Sequence, residues 1–162
     1  TVIAKYMNQK SSGEWANRKG IEIILRHTPE QTGLPFFTYT QYFHLLEMPS
    51  IPIGAKVEIG DEIAKIWNTG LQGKHTRRSA LHYAVLYSDS PYWTKTKKIF
   101  APKDGYYMDP VYFYSDVGPY KSREVKRLSK EKKRITIPYQ INGGNRFPVR
   151  AKRIWPFACK SN

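Results

Sequence analysis

Cysteine is almost missing from this chain: Cys159 is the single thiol in 162 residues. One thiol excludes an intramolecular disulfide and any cysteine-rich zinc knuckle. Long apolar runs are missing too, and none approaches the ~18 residues of a membrane-spanning helix. Acidic residues are scarce, 13 against 27 Lys and Arg, which leaves a formal charge of +14. Such a charge attracts polyanions, whether nucleic acid, an anionic cell wall or an acidic membrane surface, without choosing among them. Helix-favouring runs are few. What the chain has instead is Tyr, Trp, Phe, Ile, Val and Thr, punctuated by 11 Gly and 11 Pro, a composition that favours strands and turns. The expected fold class is mainly β, and the length suits one domain with a basic tail.

Thr1 to Met7 reads as a strand with no lead-in, as if the chain had been cut inside a domain. Ser11-Ser12-Gly13 follows as a turn. Ile21 to His27 reads as a strand with nearly two buried faces. After a turn at Gly33-Leu34-Pro35 comes a long aromatic strand, Phe36 to Leu45. Its alternation sets Phe36, Thr38, Thr40, Tyr42 and His44 on one face and Phe37, Tyr39, Gln41 and Phe43 on the other. This strand and the Ile21 strand are expected to form the centre of the sheet. Between Pro49 and Lys65, Gly54 and Gly60-Asp61 allow two tight reversals around a short strand. Asn68-Thr69-Gly70 is a further turn, and a loop carrying Lys74, His75, Arg77 and Arg78 leads onward.

That loop delivers the chain to Ser79-Ala80-Leu81-His82-Tyr83-Ala84-Val85. Alternation here places Ala80, His82 and Ala84 on a face of small residues, so the His82 imidazole has room for a ligand. One imidazole does not fix a metal, because a catalytic zinc takes three protein ligands.

Downstream, Asp109 to Tyr114 is an aromatic segment suited to packing across a sheet end. Lys121 to Arg134 is the one segment expected to be helical, with Val125 and Leu128 as a thin apolar stripe. Its cations, Lys121, Arg123, Lys126, Arg127, Lys130, Lys132, Lys133 and Arg134, stand against Glu124 and Glu131 alone, eight minus two giving +6. They form a candidate polyanion-binding surface. Ile135 to Trp155 reads as a hairpin turning at Asn142-Gly143-Gly144-Asn145.

The order of several of these stretches is similar to that of the lysostaphin/LytM-type zinc metallopeptidases, which cleave peptide cross-links of bacterial cell walls. Gly20 to His27 resembles the family's strand ending in histidine, and Tyr42-Phe43-His44-Leu45 resembles its Tyr-x-His-Leu. Ile53 to Ile66 resembles the glycine-punctuated hairpin that follows. Asn68-Thr69-Gly70, Ala80-Leu81-His82-Tyr83 and Asp109-Pro110 stand in the places of its Asn-Thr-Gly, His-Leu-His-Phe and closing Asn-Pro or Asp-Pro. The resemblance implies an antiparallel β domain over residues 1–114 with a groove above the sheet. A basic extension, 115–162, with a short helix and a hairpin, follows it.

By the same resemblance His82 matches a zinc-ligand position and His44 a catalytic histidine, with zinc as the cofactor, peptidoglycan or another anionic polymer as partner, and a periplasmic or extracellular location. Two positions depart from the pattern. The first His of His-x-His is Ala80, which can neither carry a proton nor orient water, and no His-x-x-x-Asp is found to supply the other two ligands. The expectation is therefore a wall-associated module with an incomplete metal site that binds wall peptide or regulates a hydrolase. Two alternatives stand beside it. One is an active zinc endopeptidase whose remaining ligands precede Thr1 or include His75. The other is a basic nucleic-acid-associated structural protein, in which Lys and Arg neutralise phosphates.

Overall fold

The structure is a computed structural model that describes residues 1–71, 79–95, 100–142 and 144–159. In chain order its elements are β1 (Val2–Met7), β2 (Ile21–His27), α1 (Pro29–Thr32), β3 (Phe37–Phe43), β4 (His82–Ser88), β5 (Trp93–Lys95), β6 (Phe100–Pro102), β7 (Tyr106–Met108), a 3-10 turn (Tyr112–Tyr114), α2 (Ser122–Val125), β8 (Tyr139–Ile141), β9 (Arg146–Phe147) and β10 (Ala158–Cys159). The fold is mainly β. Its main sheet has the order β1-β2-β3-β4-β7, with β1 antiparallel to β2 and β4 antiparallel to β7. The aromatic strand β3 is thus the central one, as its two-sided apolar content predicts. No helix among the described residues is long and apolar enough to cross a membrane.

The chain packs as two compact units interleaved in sequence. The first comprises 1–26, 39–57 and 61–84. Its core is Val2, Ile21, Ile23, Leu25 and Leu45, all buried, with Trp15, Tyr42, Met48, Ile51, Val57, Ile63 and Ala64 packed against it. Burial of such side chains contributes roughly 1.5–3 kcal/mol each and supplies most of the driving force. The second comprises 27–38, 58–60 and 85–162. It buries Phe36, Tyr112, Phe113 and Tyr114, and the Phe36 ring meets Tyr87 at 4.7 Å and Tyr120 edge-on at 5.1 Å.

Several expectations are corrected. The segment from Pro49 to Lys65 bends at Gly54 (φ 93°) and Gly60 (φ 99°) but forms no strand. Residues 55, 57 and 59 are half-buried while 56, 58 and 60 are exposed, so the segment keeps strand-like alternation without a ladder. It is tied to its surroundings by single backbone contacts, Val2 N–H to the Ala55 carbonyl at 2.9 Å, Gly54 N–H to the Val2 carbonyl at 2.8 Å and Leu46 N–H to the Lys65 carbonyl at 2.8 Å, and just beyond it Ile66 forms an isolated bridge to Leu45. The Lys121–Arg134 helix shrinks to the four residues of α2, with turns after it. Like charges at helical spacing, Arg123 with Arg127, Lys126 with Lys130 and Lys130 with Arg134, disfavour continuation, and only Val125 of its apolar stripe is fully buried. Within Asp109–Tyr114 the aromatic residues Tyr112–Tyr114 form the buried 3-10 turn, and the Asp109 carboxylate accepts the N–H groups of Val111 and Tyr112. The C-terminal hairpin forms in short strands, β8 against β9, and β10 adds a parallel strand.

Candidate functional site

Strand β3 ends at Phe43, and the next residue, His44, adopts a left-handed backbone with φ 64°. A non-glycine residue in that region costs about 1 kcal/mol or more, so its surroundings must hold it. They do so at three points. The His44 N–H donates to the Lys19 carbonyl at 3.1 Å, and its own carbonyl accepts the Trp67 N–H at 2.7 Å. Its ring nitrogen Nδ1 lies 2.7 Å from the Thr69 carbonyl oxygen. A carbonyl oxygen only accepts, so Nδ1 carries the proton, and in the neutral ring the lone pair is left on Nε2. His44 therefore does not continue the Thr38, Thr40, Tyr42 face as alternation predicts. The left-handed residue turns it off the strand.

Two backbone strips build this clamp, residues 17–20 and 68–71. The Thr69 hydroxyl donates to the Leu45 carbonyl at 2.7 Å and accepts the Ile21 N–H at 3.1 Å. One buried side chain thus joins the starts of β2 and of the segment after His44. The Leu71 N–H donates to the Asn17 carbonyl at 2.8 Å. Glycine is required where the strips touch. A Cβ on Gly20 (φ 66°) would collide with the Thr69 carbonyl and hydroxyl, and one on Gly70 would fall 2.6 Å from the Arg18 carbonyl oxygen.

A partly buried polar network fixes the 17–20 strip in turn. Asn17 donates to the Asn8 side chain, and Asn8 donates both to Glu22 at 3.0 Å and to the Gly20 carbonyl at 2.8 Å. Glu22 is 3% exposed. Burial raises its carboxyl pKa, against the lowering by Asn8 and by Lys19, whose Nζ stands 3.8 Å away.

His82 opens β4 and is exposed, in keeping with its place on a small-residue face. Its ring packs on Phe43 at 4.9 Å between centroids and reaches His44 at 6.2 Å. The Lys19 ammonium sits 5.4 Å from the centre of the same Phe43 ring. Partial burial lowers the His82 pKa, and the charges of His44 and Lys19 lower it further. The neutral imidazole is the form favoured here, and it is the form that ligates a metal or accepts a hydrogen bond.

His44 and His82, 38 positions apart, are thus brought together, and the fold brings Lys19 and Thr69 to them. Those last two escaped the sequence reading. Asn68-Thr69-Gly70 was legible as a turn, but nothing local announces that the Thr69 carbonyl would meet an imidazole. Lys19 is one of 27 cations and carries no pattern of its own. The third conceivable ligand, His75, lies outside the described residues. Among the described residues no group of three His, Cys, Asp or Glu side chains converges on one point. The donor set there therefore does not complete a zinc centre.

The eight cations of Lys121–Arg134 belong to the second unit. Arg123, Lys126, Arg127, Lys130, Lys132, Lys133 and Arg134 are exposed and Lys121 is half-buried, with its ammonium 4.1 Å over the Tyr106 ring. No protein-family model, no curated protein and no solved structure matches the chain.

Proposed function

We propose that this chain is a LytM-type module of the bacterial cell wall that holds wall peptide, or governs a partner hydrolase, through the face carrying His44 and His82. The observation that supports this most is the pairing of the two rings at 6.2 Å. They are the two positions that match the family's histidines, and nothing in their sequence separation requires them to meet. A peptide backbone offers N–H donors and carbonyl acceptors. His44, with Nδ1 engaged by the Thr69 carbonyl, presents Nε2, and His82 offers an imidazole held toward neutrality. Lys19 supplies a cation beside them for a peptide carboxylate.

Sedimentation of the purified chain with peptidoglycan freed of other polymers tests the reading. Binding is expected, with a loss of about tenfold in His44→Ala and in His82→Ala, a magnitude fitting one lost buried hydrogen bond. Binding by both variants as tight as that of the native chain would overturn it. Stoichiometric zinc on the purified chain, released by His82→Ala, would replace it with the zinc endopeptidase reading, in which other residues complete the ligand set.

A further inference from the structure

The basic run from Lys121 to Arg134 is short of helix, yet it is not a loose tail. Val125 is 8% exposed and anchors α2. The Tyr112 hydroxyl donates to the Lys132 carbonyl at 2.7 Å, and the Ser122 hydroxyl donates to the Asp109 carboxylate at 3.2 Å. Successive turns follow, from Arg127 back to Glu124, Leu128 to Val125, Lys133 to Ser129 and Arg134 to Glu131. The Lys133 ammonium donates to the Lys126 carbonyl at 2.9 Å, which ties the end of the run back to its middle.

This arrangement concentrates like charge. Among the described residues the ion pairs are Lys10 with Glu14, Lys19 with Glu22 and Arg153 with Asp116, and none of them involves the run. Holding exposed cations close together costs Coulomb energy that counterions offset only in part, and a polyanion relieves it while releasing those counterions. One phosphate can engage two or three such groups. An array of this size, on a pinned backbone, matches a polymer with a charge in every unit.

The run also lacks what a base-reading surface needs. No aromatic residue is interleaved in Lys121 to Arg134; of the rings beside it, Tyr106 already carries the Lys121 ammonium, Tyr112 is buried and Tyr120 packs on Phe36. Single-stranded nucleic acid is held by stacking on open rings as well as by cations. Here charge is offered without stacking.

We infer that Lys121–Arg134 is a docking surface for the phosphodiester polymer of the bacterial wall, a chain of repeating polyol phosphates. The inference rests on the wall reading above but concerns a different set of residues and a different ligand. Lys and Arg side chains contact the phosphates, and the uncharged backbone of the polymer needs no pocket.

The test compares three forms of the full chain on two kinds of wall. One variant replaces Lys126, Arg127, Lys130 and Lys132 by Gln. A control replaces the exposed Lys56, Lys65, Lys103 and Arg150 by Gln, the same change in net charge elsewhere. Circular dichroism and thermal unfolding establish that both fold. Co-sedimentation is measured with walls that carry polyol phosphate and with the same walls chemically stripped of it, across a salt series. The native chain is expected to bind polymer-bearing walls more tightly, with an affinity that falls as salt rises. The first variant should lose about tenfold or more and show a shallower salt dependence, and the control should lose much less. Equal binding to both walls, or equal loss in both variants, would overturn the inference and leave the wall-peptide reading standing. Failure to bind stripped peptidoglycan would instead overturn that reading alone. Stronger displacement by single-stranded DNA than by free poly(glycerol phosphate) would assign the surface to nucleic acid and overturn the inference.

Discussion

The Thr69 carbonyl oxygen stands 2.7 Å from His44 Nδ1, and the hydroxyl of the same threonine joins the Leu45 carbonyl to the Ile21 N–H. One residue thereby sets both the tautomer of the candidate-site histidine and the backbone that carries it.

Replacing Thr69 by Val keeps the shape and removes the hydroxyl. The Ile21 N–H then loses its partner, and stability should fall by about 1–3 kcal/mol. Thr69→Ser keeps the hydroxyl and should fall by less than half as much. Urea unfolding measures both, and equal midpoints for the two variants would refute the bridge.

Gly20 is held at φ 66° against the Thr69 carbonyl. Gly20→Ala must both adopt a left-handed backbone and push the 68–71 strip away, so a loss of about 2 kcal/mol or more is expected. The His44 ring signals should shift in a heteronuclear spectrum of this variant, because the displaced atoms include its acceptor. An unshifted His44 would mean that the strips are not coupled.

The His82 pKa lies below the usual imidazole range through partial burial, then the nearby charges of His44 and Lys19. Removing either neighbouring charge, by His44→Ala or Lys19→Gln, should raise it, and titration of the ring carbon protons by NMR reads the change. A value unmoved in both variants would leave burial as the sole cause.

His27, at the end of β2, is lowered from the ordinary 6.5 to about 3, chiefly by burial. The folded chain then binds fewer protons than the unfolded chain between these values. Its contribution to stability is complete above about pH 6.5 and is lost as pH falls toward 3. The slope is at most about 1.4 kcal/mol per pH unit, and less here because the residue is only half-buried by surface. Urea midpoints should drop between pH 7 and pH 5, and His27→Gln should flatten that drop. An unchanged slope would assign the acid sensitivity to other groups.

Strands were legible where alternation or apolar runs are long enough to leave one solution. Val2–Met7, Ile21–His27 and the body of Phe37–Phe43 stand where periodicity puts them, and β8 pairs with β9 as the last hairpin requires. Legibility failed where pairing depends on distant partners. Val57 and its neighbours alternate like a strand yet find no ladder, and the basic run has helix-favouring residues but charges that repel at helical spacing.

The sequence by itself determined the mainly β character and the +14 charge with its concentration at Lys121–Arg134, because composition and short-range period are local properties, while the choice of His44 and His82 as candidate imidazoles came from the resemblance in the order of short stretches. Only the tertiary structure decided that the two rings lie 6.2 Å apart, that His44 leaves its strand through a left-handed residue, and that Thr69 and Lys19 attend it. Those facts depend on two strips of backbone, about fifty residues apart, approaching closely enough that glycine alone fits between them, and no local pattern encodes such a contact.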